Sequence, residues 1–117
     1  MPYIDGFVAA VPTARKDDYL RFAKKSGPYF RKYGALKIFE AWGDDIPAGE
    51  VTSFPMAVKL KADETVVFSW ILWPSKEVRD EGMKKVMEDP EMIAMGPEMP
   101  FDGKRMIFGG FEMLLEG

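Results

Sequence analysis

Three carboxylates stand where strand-forming sequence would otherwise be apolar: Asp5 within Tyr3 to Val11, Glu40 within Ala35 to Gly43, and Glu112 within Arg105 to Leu115. A carboxylate among apolar neighbours is costly unless it is paired, hydrogen-bonded or protonated. With a raised pKa, such a group could act as a general base toward an enolisable or phenolic substrate. Asp5 and Glu112 are the candidates for that role. The structural alternative puts them at strand ends, or in ion pairs with Lys37 or Arg105 across a dimer. The chain has no Cys and no His, which excludes thiol nucleophiles, imidazole bases, disulfide frameworks and almost every zinc or haem site. Acid–base chemistry is left to carboxylate, Lys and Tyr.

Aromatic residues form the second group of candidates. Phe7, Trp42, Phe68, Trp70 and Phe108, together with Asp5 and Glu112, would line an apolar pocket able to hold a flat ligand. Their ordinary use is core or dimer contact. Lys104 and Arg105 follow Asp102-Gly103 in a turn that leads into the last strand, where Gly103 can take positive φ. They could contact an anionic group, or simply flank a solvated turn. Asp44, Asp45 and Glu50 lack calcium-loop spacing and read as solvent-exposed, so no metal is assigned and no cofactor is called for. Gly109-Gly110 follows no strand-to-helix turn. It reads as a bulge or a close backbone approach inside a strand rather than a nucleotide loop.

These candidates need elements to position them. Tyr3 to Val11 reads as a strand, closed by Pro12, with Thr13 as the N-cap of a helix from Ala14 to Gly34. Pro28 should kink or break that helix near Ser26 to Pro28. Ala35 to Gly43 is a second strand, and Asp44 to Lys61 a long connection with room for a helical turn. Thr65 to Trp73 is a nearly unbroken apolar run, after which Ser75 caps a helix carrying Val78, Gly82 and Val86 on one side. Asp89-Pro90 stops it. Arg105 to Leu115 makes the last strand.

The order is βαββαβ, which suggests an α+β, ferredoxin-like fold: one four-stranded antiparallel sheet with both helices on one face. Four strands at about 4.8 Å spacing span about 19 Å, a width that two helices of about 10 Å diameter cover once. The strands are nevertheless apolar on both parities. If Ile4, Val8, Val67, Ile71 and Ile107 meet the helices, then Asp5 and Glu112 point to the other face, beside Trp70. Neighbouring antiparallel first and last strands would bring the two carboxylates together. The uncovered face is roughly 400 Å² in projection, near the upper range for a soluble monomer. A second sheet is the simplest cover, and the expected state is a homodimer.

With 117 residues, 47% of them hydrophobic and 14% aromatic, the chain suits one domain, residues 1–117, with a packed core. Sixteen Lys and Arg against nineteen Asp and Glu give a net charge of −3, and the pI is about 5.0. This charge, with no basic stripe or RNP-type motif, argues against nucleic acid as a partner. Residues 1–12 have no basic start and no long apolar run, so neither signal peptide nor membrane span is expected, and the cytoplasm is the expected location.

Several segments together carry a family resemblance. They are Ala41-Trp42-Gly43-Asp44-Asp45, Val66-Val67-Phe68-Ser69-Trp70, Trp73-Pro74-Ser75-Lys76 with Arg79-Asp80, and Met99 to Met106 with Gly109-Gly110-Phe111-Glu112. In this order, over nearly the whole chain, the sequence resembles the bacterial YbaA-like family, domain of unknown function 1428. The Phe101 to Glu112 block is the most specific piece. The resemblance implies a dimeric α+β barrel, two ferredoxin-like sheets packed face to face. That fold includes cofactor-independent oxygenases, haem-degrading enzymes, isomerases and plain ligand-binding proteins, so fold analogy does not choose among them. Three readings remain. One is a dimer binding a small apolar or aromatic molecule between its sheets. The second is a cofactor-independent oxygenase or isomerase with Asp5 or Glu112 as base and Trp70 as pocket wall. The third is a structural or regulatory dimer with no ligand.

Overall fold

The structure, a computed structural model, describes residues 1–117. β1 (Tyr3–Pro12) leads through a 3₁₀ turn (Thr13–Arg15) into α1 (Lys16–Lys32), followed by β2 (Lys37–Trp42), the short α2 (Phe54–Ala57) and β3 (Glu64–Trp73). Then come α3 (Lys76–Glu88), α4 (Pro90–Met95), a second 3₁₀ turn (Gly96–Glu98) and β4 (Ile107–Glu112). The four strands form one sheet in the order β2-β3-β1-β4, with every neighbouring pair antiparallel. This is the expected ferredoxin-like α+β arrangement, with α2 and α4 added in its connections.

The local signals act as their chemistry requires at most of the boundaries. Ser75 accepts a hydrogen bond from Val78 N–H at 3.2 Å and starts α3. Asp89 ends α3 and caps α4 by accepting from Glu91 N–H at 2.8 Å. α1 closes in a Schellman motif: Gly34 donates to Arg31 O, Ala35 to Phe30 O, and Gly34 has φ +117°. Two expectations fail. Thr13 caps no helix; its hydroxyl pairs with Thr65 across the sheet at 2.7 Å, and its N–H donates to Asp63 O. α1 also runs unbroken through Pro28, because 17 residues of packed amphipathic helix outweigh one missing hydrogen bond.

α1 and α3 cover one face. Tyr3, Ala35, Ile71 and Trp73 form the buried centre there, with Phe7, Phe30, Ile38, Val78 and Met83 packed around them. Trp73 is fully buried, and Gly82 lets α3 cross it: a Cβ at that position would lie 2.5 Å from the indole and 2.5 Å from Tyr33 O. On the opposite face Val8, Ala10, Val58 and Val66, with Leu60, make a second cluster. The β2–β3 connection thus folds back over one end of that face. The remainder of the face stays open.

Register corrects the expected orientation of two strands. Ala9 pairs with Val67 and Asp5 with Ile71, so Asp5 shares a face with the helix-facing residues of β3. Ile4 and Val8 pair with Leu72 and Phe68, and with Phe111 and Ile107, and belong to the open face. β3 keeps its expected orientation; β1 and β4 are reversed. The apolar content of both parities is the reason, since alternation cannot assign a sign to a strand that is hydrophobic on both sides.

Candidate functional site

A groove of about 550 Å³ lies on the open face, lined by ten residues of which eight are hydrophobic and the other two are glycines. Gly6 of β1 and Gly109 of β4 are register partners and form its floor. The Phe111 ring lies across both, 3.5 Å from where a Cβ of Gly6 would stand and 3.7 Å from that of Gly109. Two strand glycines facing each other thus give the sheet a depression that side chains would otherwise fill. Ile4 and Val8 continue the floor, and Ile107 and Phe111 make the β4 side.

The other wall is a continuous aromatic row. Phe39 stacks on Trp70 with ring centres 4.6 Å apart, Trp70 meets Phe68 at 5.3 Å, and Phe68 meets Phe54 edge-on at 6.1 Å. Offset stacks and edge contacts of this kind are the favoured aromatic geometries. Phe54 comes from α2, so the connection that covers one end of the face also extends the wall. Beyond the row lies a small cleft of about 130 Å³, lined by Trp42, Ile46, Phe54, Val66 and Phe68 among others.

Of the residues expected to line a pocket, Phe68 and Trp70 stand in the aromatic wall, and Phe7 and Phe108 border the groove. The Phe7 and Phe108 rings stack on each other at 6.4 Å. Trp42 lies outside the groove, in the cleft, with Lys16 Nζ over its ring at 5.5 Å.

Asp5 is also elsewhere. It is buried on the helix side, where its carboxylate accepts from Trp73 Nε1 at 2.9 Å and from Arg79 Nη2 and Nε at 2.8 and 3.1 Å. Its cation is therefore Arg79, neither Lys37 nor Arg105. Arg79 also lies over the Tyr3 ring, and the Asp5 hydrogen bonds raise its pKa. Glu112 is on the same face, paired with Tyr3 where Asp5 pairs with Gly110. The two carboxylates are thus diagonal neighbours as expected, but on the helix face and away from Trp70. Glu112 is exposed. The antiparallel neighbourhood of β1 and β4 was sufficient to place the pair together, and the reversed strand parity moved it to the other face.

Arg105 is engaged by acids within its own subunit. It donates to Glu64 at 2.6 and 2.8 Å, to Asp102 at 3.2 Å and to Lys59 O at 3.0 Å. Its guanidinium holds the Glu64 carboxyl down at about 2. Arg105 therefore fastens the loop before β4 to the start of β3, while Lys104 remains exposed. Asp102 accepts from Lys104 N–H at 2.9 Å. The turn closes on that bond without a left-handed Gly103, whose φ is not positive.

The third strand carboxylate, Glu40, accepts from the Tyr19 hydroxyl of α1 at 2.5 Å. Burial pushes its pKa up, against the opposing effect of that hydrogen bond. Burial and then the Glu40 charge push the Tyr19 phenol up as well. This pair lies between α1 and the sheet, beside Ser69, the register partner of Glu40.

The residues that sequence reasoning missed are Ile4, Gly6, Val8, Ile107, Gly109 and Phe111 of the groove, and Phe39 and Phe54 of the row. The available signal was glycine inside two neighbouring strands, Gly6 in β1 and the Gly109-Gly110 pair in β4.

No helix is long and apolar enough to cross a membrane. Uncharacterized protein YbaA of Escherichia coli K12 is 56% identical over 116 residues, 99% of either chain. Among solved structures, a dimeric ferredoxin-like protein from an uncultured marine organism superposes with a TM-score of 0.65 at 9% identity, over the whole of both chains. SnoaB, a cofactor-independent oxygenase from Streptomyces nogalater, superposes with a TM-score of 0.56 at 9% identity, covering 98% of this chain and 93% of its own. At such identities the likeness is one of fold. The model of one family, protein of unknown function DUF1428, matches residues 2–103, and with the full-length identity to YbaA this shows that the chain belongs to the DUF1428 family.

Proposed function

We propose that the protein is a homodimer whose open sheet faces pack together and hold a small, neutral, apolar or aromatic molecule between them. The groove carries this reading: its lining has no charged side chain, and one wall is a row of ring faces and edges. An apolar concavity of this size suits a ligand of one or two rings. The exposure of Phe39, Phe68, Ile107 and Phe111 in the single chain supports a second copy as its cover. So does the dimeric protein of the same fold.

The test follows Trp70 emission while naphthalene is titrated into the purified protein. Saturable quenching that disappears in Trp70→Phe, with Trp42 and Trp73 unchanged, supports the reading. Quenching that is linear and identical in both proteins contradicts it and favours the dimer without a ligand.

An enzymic reading has one observation of its own. An oxygenase or isomerase working without a cofactor needs a carboxylate that can hold a proton near neutral pH, and Glu40 is the strand carboxylate whose pKa is raised, by desolvation between α1 and the sheet and against the lowering hydrogen bond from Tyr19. Asp5 is committed to Arg79 and Trp73. Oxygen uptake with a quinol that is lost in Glu40→Gln would support this reading; no turnover in the wild type would remove it.

A further inference from the structure

The two edges of the sheet are built differently. β2, at one edge, carries Lys37 and Glu40 within its six residues, the kind of charge that discourages further strand pairing. β4, at the other, reads Ile107-Phe108-Gly109-Gly110-Phe111-Glu112, with no charge until its last residue. Three of its side chains, Ile107, Phe108 and Phe111, are 44%, 71% and 60% exposed.

Backbone polarity adds to this. Met113 N–H donates to Pro2 O at 3.3 Å. By the alternation of an antiparallel ladder, Ile107, Gly109 and Phe111 then direct their backbone groups to β1. Phe108, Gly110 and Glu112 direct theirs outward, where this chain supplies no strand. Past Met113 the backbone continues without regular structure, and Leu114 and Leu115 are 93% and 85% exposed. Their own groove is behind them: β4 passes Gly109 and Phe111 before reaching the β1 start at Pro2 and Tyr3. Tail and edge are continuous with the open face through Phe111, which belongs to both.

We propose that the outer edge of β4 and the segment Met113–Leu115 form an arm that each subunit gives to the second copy, with Leu114 and Leu115 buried against it and the outward amides of Phe108, Gly110 and Glu112 covered there. This rests on the homodimer reading and extends it. The open faces supply the apolar centre of the contact, and the arm supplies the part that fixes how the second copy is oriented.

Sedimentation equilibrium of the full chain and of a Leu114→Ser/Leu115→Ser variant, with amide exchange of the wild type, tests it. Removing two buried leucines from each subunit should weaken the dimer by about 100-fold or more. Each residue is exposed within its own subunit, so the variant's circular dichroism should match the wild type. In concentrated wild type the amides of Phe108, Gly110 and Glu112 should exchange slowly, and on dilution to monomer they should exchange freely. If the variant dimerises with wild-type affinity, or those amides exchange freely in the dimer, the arm is wrong while the dimer stands. If the wild type is monomeric at every concentration, the dimer reading fails and the arm with it.

Discussion

On the helix side of the sheet, Asp5 is buried among the Trp73 indole N–H and the Arg79 guanidinium, and Glu40 is held by Tyr19. On the open side, the groove from Ile4 to Phe111 is lined by no charged side chain at all. The glycines differ in the same way. A Cβ on Gly110 would come within 2.3 Å of the Tyr3 hydroxyl and 2.8 Å of Arg79, whereas one on Gly109, a residue earlier and on the other face, would meet only the Phe111 ring at 3.7 Å. Polar groups and close contacts are concentrated where the chain covers itself. Apolar surface and space remain where it does not. A single sheet can therefore place its folding specificity on one face and its binding surface on the other.

The largest effect that would sharpen this contrast comes from uncoupling Asp5. Arg79→Met leaves a buried carboxylate without its cation and should cost about 3–5 kcal/mol in urea unfolding. A loss below about 1 kcal/mol would show that the pair is dispensable. Next, Gly110→Ala should cost about 1–3 kcal/mol through overpacking against Tyr3 and Arg79, while Gly109→Ala should stay within about 0.5 kcal/mol. Equal costs would break the distinction between the faces. A smaller effect belongs to the open side. Trp70→Ala should weaken the dimer by about tenfold or more, because the ring lies in the proposed contact. Unchanged association would move the contact elsewhere.

The mildest prediction concerns acid. The Glu64 carboxyl is lowered from its ordinary 4.5 to about 2, chiefly by hydrogen bonds from Arg105. A group whose folded pKa is depressed contributes stability that is full above the unfolded value and lost as pH falls through the folded one. Thermal melts should therefore decline between pH about 4.5 and about 2, and Glu64→Gln should flatten that part of the profile. An unchanged slope in the variant would assign the acid limb to other carboxylates.

Much of this contrast was legible in the sequence. Ser75 and Asp89-Pro90 set their boundaries by local hydrogen bonding and by the missing proline N–H, and Val78, Gly82 and Val86 identified the buried side of α3. The antiparallel neighbourhood of β1 and β4 placed Asp5 near Glu112. The facing of those strands was not legible, because Tyr3, Phe7 and Val11 are as apolar as Ile4 and Val8. What decides it is the bond from Asp5 to Arg79, 74 residues away in the chain, a partnership no local pattern encodes. The groove was half legible for a related reason. Phe68 and Trp70 announce apolar surface, whereas the depression beneath Phe111 exists only because Gly6 and Gly109 meet across the ladder.

A second copy over the open face, with a small apolar molecule kept between the two, would be carried together as one particle. Native mass spectrometry of the freshly purified protein tests it most directly. The expected result is a species at twice the 13.3 kDa chain mass that carries an extra small-molecule mass and loses it on gentle activation. A population of bare 13.3 kDa monomer at micromolar concentration would contradict the cover, and a dimer with no added mass that gains none on incubation with naphthalene would contradict the ligand.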